Sequence, residues 1–167
     1  MFKTFIRLAL GAAVTLGLTL GAVAEGGGEP LLSVTGDFGD TAGQTTLTLD
    51  RAALQQLPQT TFKTSTIWTD GVHRFTGVSL ADLMAELGVE DGMMIGTAIN
   101  DYAVEIPMSD AVAGGPIIAY LMDGEAMRVR DKGPLWVIYP YDSDAAFRTE
   151  VVYSRSIWQL DRLKIVQ

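Results

Sequence analysis

Six aromatic side chains fall at or beside the ends of apolar runs: Trp68, Tyr102, Trp136, Tyr139, Tyr141 and Trp158. Such rings stack on flat heteroaromatic ligands, each contact adding about 1 kcal/mol beyond the area it buries. Asp70, Asp101, Asp131 and Asp142 lie beside them in turn-like sequence. A carboxylate accepts paired hydrogen bonds from an amidine-like N–H edge, of the kind a guanine or pterin ring presents. Together these residues describe a site for a flat, polar ligand. Most Trp and Tyr residues of a small β domain serve its core, so only two or three of the six are expected at a pocket.

A second concentration of chemistry is the stretch Asp123–Asp142. It combines a tight-turn dipeptide (Asp123-Gly124), mixed charge at Arg128, Arg130, Asp131 and Lys132, a Gly133-Pro134 break, and an apolar run over Leu135–Tyr139. A charged loop feeding a buried strand is one way for a fold to present polar groups at a pocket rim; a solvated hairpin loop is the plain alternative. Catalytic constellations are scarce. The single histidine, His73, rules out a multi-histidine metal site, and its place at a hairpin edge reads as an exposed structural residue. There is no phosphate-binding loop, dinucleotide fingerprint or nucleophile elbow. Asp101, Glu105 and Asp110 read as solvated loop acids. With no cysteine in 167 residues, neither thiolate chemistry nor a disulfide is open to the chain.

The elements that must position these groups are mostly strands. Leu31–Thr35 and Thr45–Leu49 read as the first two, separated by a Gly- and Asp-rich loop over Gly36–Gly43. Asp50 is a good cap for a short helix over Arg51–Gln56, stopped by Pro58. Thr60–Thr69 reads as a strand, Asp70-Gly71 as the hairpin turn, and Val72–Thr76 as the return. Ser79 with Asp82 three residues on predicts a capping box. Leu80, Leu83, Met84 and Leu87 then follow helical spacing, and Gly88 stops the helix. Met94–Ile99 and Tyr102–Ile106 flank Asn100-Asp101 as another hairpin, and Ser109 is placed to cap one helical turn. Ile117–Met122, Glu125–Arg128 and Leu135–Tyr139 complete the central strands. The apolar spacing of Arg155–Val166 suits helix or strand, and the β-rich context favours strand. The expectation is a single β-rich α+β domain with two or three short helices.

The first residues look different from the rest. Lys3 and Arg7 precede an uncharged apolar run over Leu8–Leu20, and Ala22-Val23-Ala24 fits a cleavage pattern. Residues 1–24 therefore read as a secretory signal peptide, leaving a domain over 25–167 after a loose Gly26–Pro30 linker. Two of the 12 basic residues leave with the leader and all 20 acidic ones stay, for a mature net charge of −10. An acidic exported protein of this kind is a poor partner for nucleic acid or an anionic lipid surface. The expected compartment is a bacterial periplasm, with no membrane embedding once the leader is cleaved.

From about Thr60 to Gln167 the chain resembles the sulfite oxidase-type, molybdopterin-binding oxidoreductase fold. An aromatic-rich strand precedes Phe75-Thr76-Gly77-Val78-Ser79-Leu80-Ala81-Asp82-Leu83, followed by Gly88-Val89. Asn100-Asp101-Tyr102, Asp123-Gly124-Glu125-Ala126-Met127, Gly133-Pro134-Leu135-Trp136-Val137-Ile138-Tyr139-Pro140 and Ser156-Ile157-Trp158-Gln159-Leu160 then appear in the family's order. The family's enzymes ligate molybdenum with a cysteine that would fall near Thr64–Thr66. Where they carry Pro-Leu-Arg, this chain has Pro134-Leu135-Trp136, and a Lys-Trp pair becomes Ile157-Trp158. Both changes remove cations that would help hold an anionic pyranopterin phosphate.

The chain is more narrowly similar to small exported proteins of this fold that act as periplasmic pterin-binding regulators. That resemblance implies a reduced, metal-free pterin as ligand, a carboxylate reading its edge, aromatics stacking on it, and no catalysis. It also implies a partner, the periplasmic domain of an inner-membrane enzyme of cyclic di-GMP turnover. The residues assigned to the ligand are Trp68, Asp70, His73, Asn100, Tyr102, Arg128, Asp131, Lys132 and Tyr141, on loops such a fold gathers at one end. The alternative is a periplasmic molybdopterin-dependent oxidoreductase that holds metal through the cofactor's own dithiolene.

Overall fold

The computed structural model describes residues 28–38 and 43–167. The segment read as a signal peptide lies outside the described residues, as do parts of the linker and of the Gly- and Asp-rich loop. Ten strands, three short α-helices and single 3-10 turns follow in the order β1 (Leu32–Asp37), β2 (Gln44–Leu49), α1 (Arg51–Gln56), β3 (Gln59–Thr66), β4 (Thr69–Ser79), α2 (Leu80–Leu87), β5 (Met93–Ala98), β6 (Ala103–Pro107), β7 (Ile117–Met122), β8 (Glu125–Ala126), β9 (Trp136–Ile138), α3 (Glu150–Arg155) and β10 (Leu160–Val166). One sheet has the order β2-β1-β10-β5-β6; the other runs β3-β4-β7-β8, with β9 also pairing β7. The fold is the expected β-rich α+β domain. Among the described residues no helix is long and apolar enough to cross a membrane.

Local chemistry accounts for the helices. Asp50 caps α1 by accepting from the Ala53 N–H at 2.8 Å, and its second oxygen accepts from Gly28 N at 2.9 Å. These backbone N–H groups hold the Asp50 carboxyl below its usual pKa. Ser79 caps α2 through the Asp82 N–H at 2.9 Å, and Gly88 closes that helix in the left-handed region at φ 69°. Leu80, Leu83, Met84 and Leu87 are its buried face, packed into the one core that holds both sheets.

The structure corrects the sequence reading at several boundaries. The β3–β4 turn is at Ile67-Trp68, not Asp70-Gly71. Thr66 Oγ1 accepts from Trp68 N at 3.1 Å and pairs with Thr69 Oγ1 at 2.8 Å, so threonine hydroxyls close the turn. Asp70 and Gly71 form a bulge, between the pairs Ser65–Val72 and Thr66–Thr69. The turn at Ser109 is a 3-10 turn entered from Pro107, with no side-chain cap. Pairing of β8 stops at Ala126. Arg155–Val166 is not one strand: α3 ends at Arg155, and β10 begins only at Leu160. Its ambiguous spacing comes from a bulge between Leu160 and Arg162, which breaks strict alternation.

Gly77 sits where β4 crosses β7, at another register shift. A Cβ there would run into the Ile118 carbonyl and lie 2.7 Å from the Ala119 Cα, and neither backbone group can yield. Gly77→Ala is therefore expected to lower unfolding stability by about 1–3 kcal/mol. Urea denaturation checks this, with Ala85→Gly in α2, expected to cost about 1 kcal/mol from helix propensity alone, as the scale.

Candidate functional site

The segment leading into the last strand runs beside one sheet before β10 joins the other, and that transfer builds the site. Residues 156–160 first run beside β9: Val137 N donates to Ile157 O at 2.9 Å, and Trp136 bridges Trp158. Leu160 N then donates to Leu135 O at 3.0 Å before β10 pairs with β1 and β5. Gln159 turns the corner in the left-handed region at φ 53°. Its N–H donates to Lys132 O at 3.1 Å, and its carbonyl accepts from Ile99 N at 2.9 Å. The Lys132 loop and the β5–β6 turn are thereby drawn to the same corner. Trp136 is fully buried beneath it, its Nε1 donating to Ser156 O at 3.1 Å.

A cavity of about 440 Å³ opens beside this segment, lined by Trp68, Ala98, Asn100, Tyr102, Tyr153, Ser154, Ser156, Ile157, Trp158 and Gln159. That size suits a small flat molecule. Trp68 is the hub of the aromatic wall, meeting Trp136, Tyr153 and Trp158 edge-on at centroid separations of 5.8, 5.8 and 5.6 Å. Tyr141 backs the same ring at 6.3 Å. The Lys132 ammonium stands 4.6 Å from the Trp158 ring centre and 5.5 Å from that of Trp136, a cation–π arrangement. Tyr102 and Trp158 are exposed, at 58% and 38%, and present their rings at the mouth.

Of the nine residues assigned from sequence, Trp68, Asn100 and Tyr102 line this cavity. Lys132 stacks on its Trp158 wall. Tyr141 is buried behind Trp68, its hydroxyl donating to Ser156 Oγ at 2.6 Å, and burial pushes its pKa up to about 12. Asp70 and His73 lie in a separate depression that shares Trp68 with the cavity as a wall. Arg128 and Asp131 lie in a third, paired with each other at 2.7 Å. Arg128 holds the Asp131 carboxyl below its usual pKa. None of Asp70, Asp101, Asp131 and Asp142 lines the ring-walled cavity.

Ala98, Tyr153, Ser154, Ser156, Ile157, Trp158 and Gln159 are the lining residues outside those nine, Trp158 being named from sequence only among the six aromatics. Apart from Ala98 at the end of β5, they belong to α3 and the transfer segment; reading Arg155–Val166 as a strand hides the second, and no element is expected from sequence over the first. The available signal was Thr149, whose Oγ1 accepts from Val152 N at 3.2 Å and caps α3 just ahead of Glu150.

His73 is more than a surface residue. Its Nδ1 lies 2.6 Å from the Asp123 carboxylate and its Nε2 lies 2.9 Å from Asp70 O. Both partners are acceptors, so the two contacts favour the protonated imidazole, in which both ring nitrogens donate. The Asp123 hydrogen bond raises the His73 pKa against a smaller opposing effect of burial. Asp123 is lowered first by the Arg74 N–H and then by His73. Asp123 and Gly124, at φ 53° and 89°, form the β7–β8 turn that aims this carboxylate at β4; the left-handed conformation at both positions suits Asp-Gly.

The residues at the expected molybdenum-ligand position can be tested against that metal. Thr64 is fully buried; its Oγ1 accepts from Asp142 N at 3.1 Å and donates to Ser65 O at 3.2 Å. Ser65 N and Oγ donate to the Asp142 carboxylate at 2.6 and 2.7 Å, holding the Asp142 pKa down. These groups satisfy one another. The chain has no cysteine, and the described residues contain no His/Cys/Asp/Glu cluster suited to a metal. No Lys or Arg lines the cavity to meet a pyranopterin phosphate. The donor set does not fit a protein-ligated molybdenum cofactor, whereas the ring-walled cavity fits the flat pterin portion.

Two sheets joined by a transferring strand, with an aromatic cavity at the junction, define a ligand-binding β-rich domain. The chain belongs to the oxidoreductase molybdopterin binding domain family, whose model matches residues 37–143. That range includes Trp68, Asn100, Tyr102 and Lys132 but stops before Tyr153–Gln159, the other half of the wall. The fold is also that of the sulfane dehydrogenase SoxCD from Paracoccus pantotrophus, at TM-score 0.58 and 20% identity over 80% of this chain and 37% of that one. This chain thus spans little more than a third of that protein. No curated protein sequence matches it. The sulfite oxidase-type fold expected from the sequence is the one present.

The ion pair sets a testable pH dependence. His73, with its raised folded pKa, contributes stability fully below its unfolded value near 6.5 and loses it as pH rises through the folded value. Asp123, with a lowered folded pKa, contributes above its unfolded value near 3.8 and loses it as pH falls through the folded one. Wild type should exceed His73→Gln in stability by up to about 1 kcal/mol at weakly acidic pH, a modest margin because Asp123 is exposed. The gap should narrow as pH rises above the His73 pKa. Urea midpoints across that range provide the check.

Proposed function

We propose that this protein is an exported, periplasmic pterin-binding regulator that uses a molybdopterin-binding domain without molybdenum chemistry. The observation that carries the reading is the pairing of a ring-walled cavity with a closed Thr64–Ser65–Asp142 cluster at the expected metal-ligand position. A reduced, metal-free pterin would lie against the Trp158 and Tyr102 rings, with Trp68 as the inner wall. The chain binds and does not catalyse; binding is reported to a protein partner. That partner is the periplasmic domain of an inner-membrane enzyme of cyclic di-GMP turnover, and residues 1–24 direct export and are cleaved. The acidic composition and the apolar leader support the export reading, and the family assignment supports the pterin.

A second reading, a molybdopterin-dependent oxidoreductase, draws on the family match over residues 37–143. It would require the cofactor's own dithiolene to supply all the sulfur, and Lys132, the cation against the cavity wall, is engaged with the Trp158 and Trp136 rings.

The test is to purify the protein from its native periplasm, measure its metals, and identify the small molecule released by acid. The expected result is a fluorescent pterin near one per chain with molybdenum far below stoichiometric. Stoichiometric molybdenum would overturn the regulator reading and favour the oxidoreductase.

A further inference from the structure

We infer that the cavity reads its ligand with two neutral side-chain amides, Asn100 as donor and Gln159 as acceptor. It is therefore selective for a heterocycle with an uncharged lactam edge, an N–H beside a C=O, over one with a protonated amidine edge. This rests on the pterin reading above and replaces the carboxylate recognition that the family resemblance implies.

The orientation of each amide is set by a backbone group that can play only one role. Asn100 Oδ1 accepts from the Tyr102 N–H at 3.2 Å, so the near atom must be oxygen and the Nδ2 hydrogens are left over. Gln159 Nε2 donates to Val129 O at 2.8 Å, so the near atom must be nitrogen and Oε1 is left over. Neither remaining group has a partner among the described residues. Asn100 and Gln159 both line the cavity, and their chains are tied together by the Ile99 N to Gln159 O hydrogen bond at 2.9 Å. One free donor and one free acceptor thus sit at the mouth beside the exposed rings of Tyr102 and Trp158. A lactam edge offers the complementary pair.

The surrounding charges point the same way. No acid or base lines the cavity apart from tyrosines. Asp101, next to Asn100, and Asp161, two residues after Gln159, are both paired with Arg162, at 2.8 and 2.9 Å. Asp70 stands in the depression beyond Trp68, and Asp131 is paired with Arg128. A cationic ring edge entering the cavity would lose water without gaining a counter-charge, which is costly. Exchanging a ring carbonyl for an amino group would set donor against donor at Asn100, the kind of polar mismatch that discriminates strongly between isosteric ligands.

Two probes test this on the full mature chain: pterin itself, and the diaminopteridine in which an amino group replaces the ring carbonyl and raises ring basicity. Dissociation constants are measured by calorimetry near neutral pH for wild type, Asn100→Asp, Gln159→Asn and Asp70→Asn. Pterin should bind wild type at least about tenfold more tightly than the diaminopteridine. Asn100→Asp keeps the oxygen facing Tyr102 N but turns the donor into an acceptor, and should weaken pterin about tenfold or more. Gln159→Asn, tolerated in the left-handed region but one methylene shorter, should also weaken it, while Asp70→Asn should leave it unchanged within about twofold. Tighter binding of the diaminopteridine, or a loss confined to Asp70→Asn, would overturn the amide readout and leave the pterin reading standing. If neither probe binds wild type, the pterin reading falls and this inference with it. The wild-type comparison needs no variant to fold.

Discussion

The whole site depends on one constraint: the backbone of residues 156–160 must find hydrogen-bond partners while the chain leaves one sheet for the other. Orphaned amides in that buried crossing would be costly, so every neighbour capable of supplying a partner is pulled in. β9 supplies the Val137 N–H, Leu135 just ahead of it supplies its carbonyl, the β5–β6 turn supplies the Ile99 N–H, and the loop after β8 supplies the Lys132 carbonyl. Two loops distant in sequence converge on Gln159 as a result, beside β9. The cavity is the space left between them, and its walls are whatever side chains those loops happen to carry at the corner.

The rings fill that corner in a particular way. Trp68 meets four other indole or phenol rings edge-on, so its orientation is determined from several directions at once. Lys132 finds its place on the indole of Trp158 rather than on a carboxylate. The outer rings, Tyr102 and Trp158, have no aromatic neighbour covering their exposed surfaces and are available for stacking. In contrast, the donors of the Thr64–Ser65–Asp142 cluster are engaged within it: Thr64 Oγ1 donates to Ser65 O, Ser65 N and Oγ to the Asp142 carboxylate, and Asp142 N to Thr64 Oγ1. The family's architecture persists while the polar groups at its metal-ligand position have turned inward upon one another.

Much of the fold was legible in the sequence because its signals were local. Asp50 and Ser79 each cap a helix within three residues, and Gly88 ends one, so α1 and α2 follow from neighbours in the chain. The apolar run of β7 and the buried run through Trp136–Ile138 show as continuous hydrophobic sequence. What escaped notice depended on distant contacts or on broken periodicity. The bulge at Asp161 disguised β10, and α3 had only Thr149 to announce it. At Asp70-Gly71 a strong turn dipeptide was overruled by the hydroxyls of Thr66 and Thr69, which close the chain three residues earlier, at Ile67-Trp68. In the site, the aromatic members Trp68 and Tyr102 stood out by type. Ser154, Ser156 and Gln159 did not, because nothing about a serine or glutamine reveals its place until the strand transfer puts it at the corner. The acids were misleading for the same reason: Asp131 and Asp142 lie near aromatics in sequence, yet each is tied to a nearby cation or amide outside the cavity.

The central claim is that a ring-walled cavity, and not a metal centre, holds the ligand. The most direct measurement is a tryptophan-fluorescence titration of metal-free protein with pterin in the presence of a chelator, using wild type and Trp158→Ala. Saturable quenching at one pterin per chain in wild type, weakened at least about tenfold in the variant, is the predicted result. Binding that requires added metal, or that Trp158→Ala leaves unchanged, would contradict it.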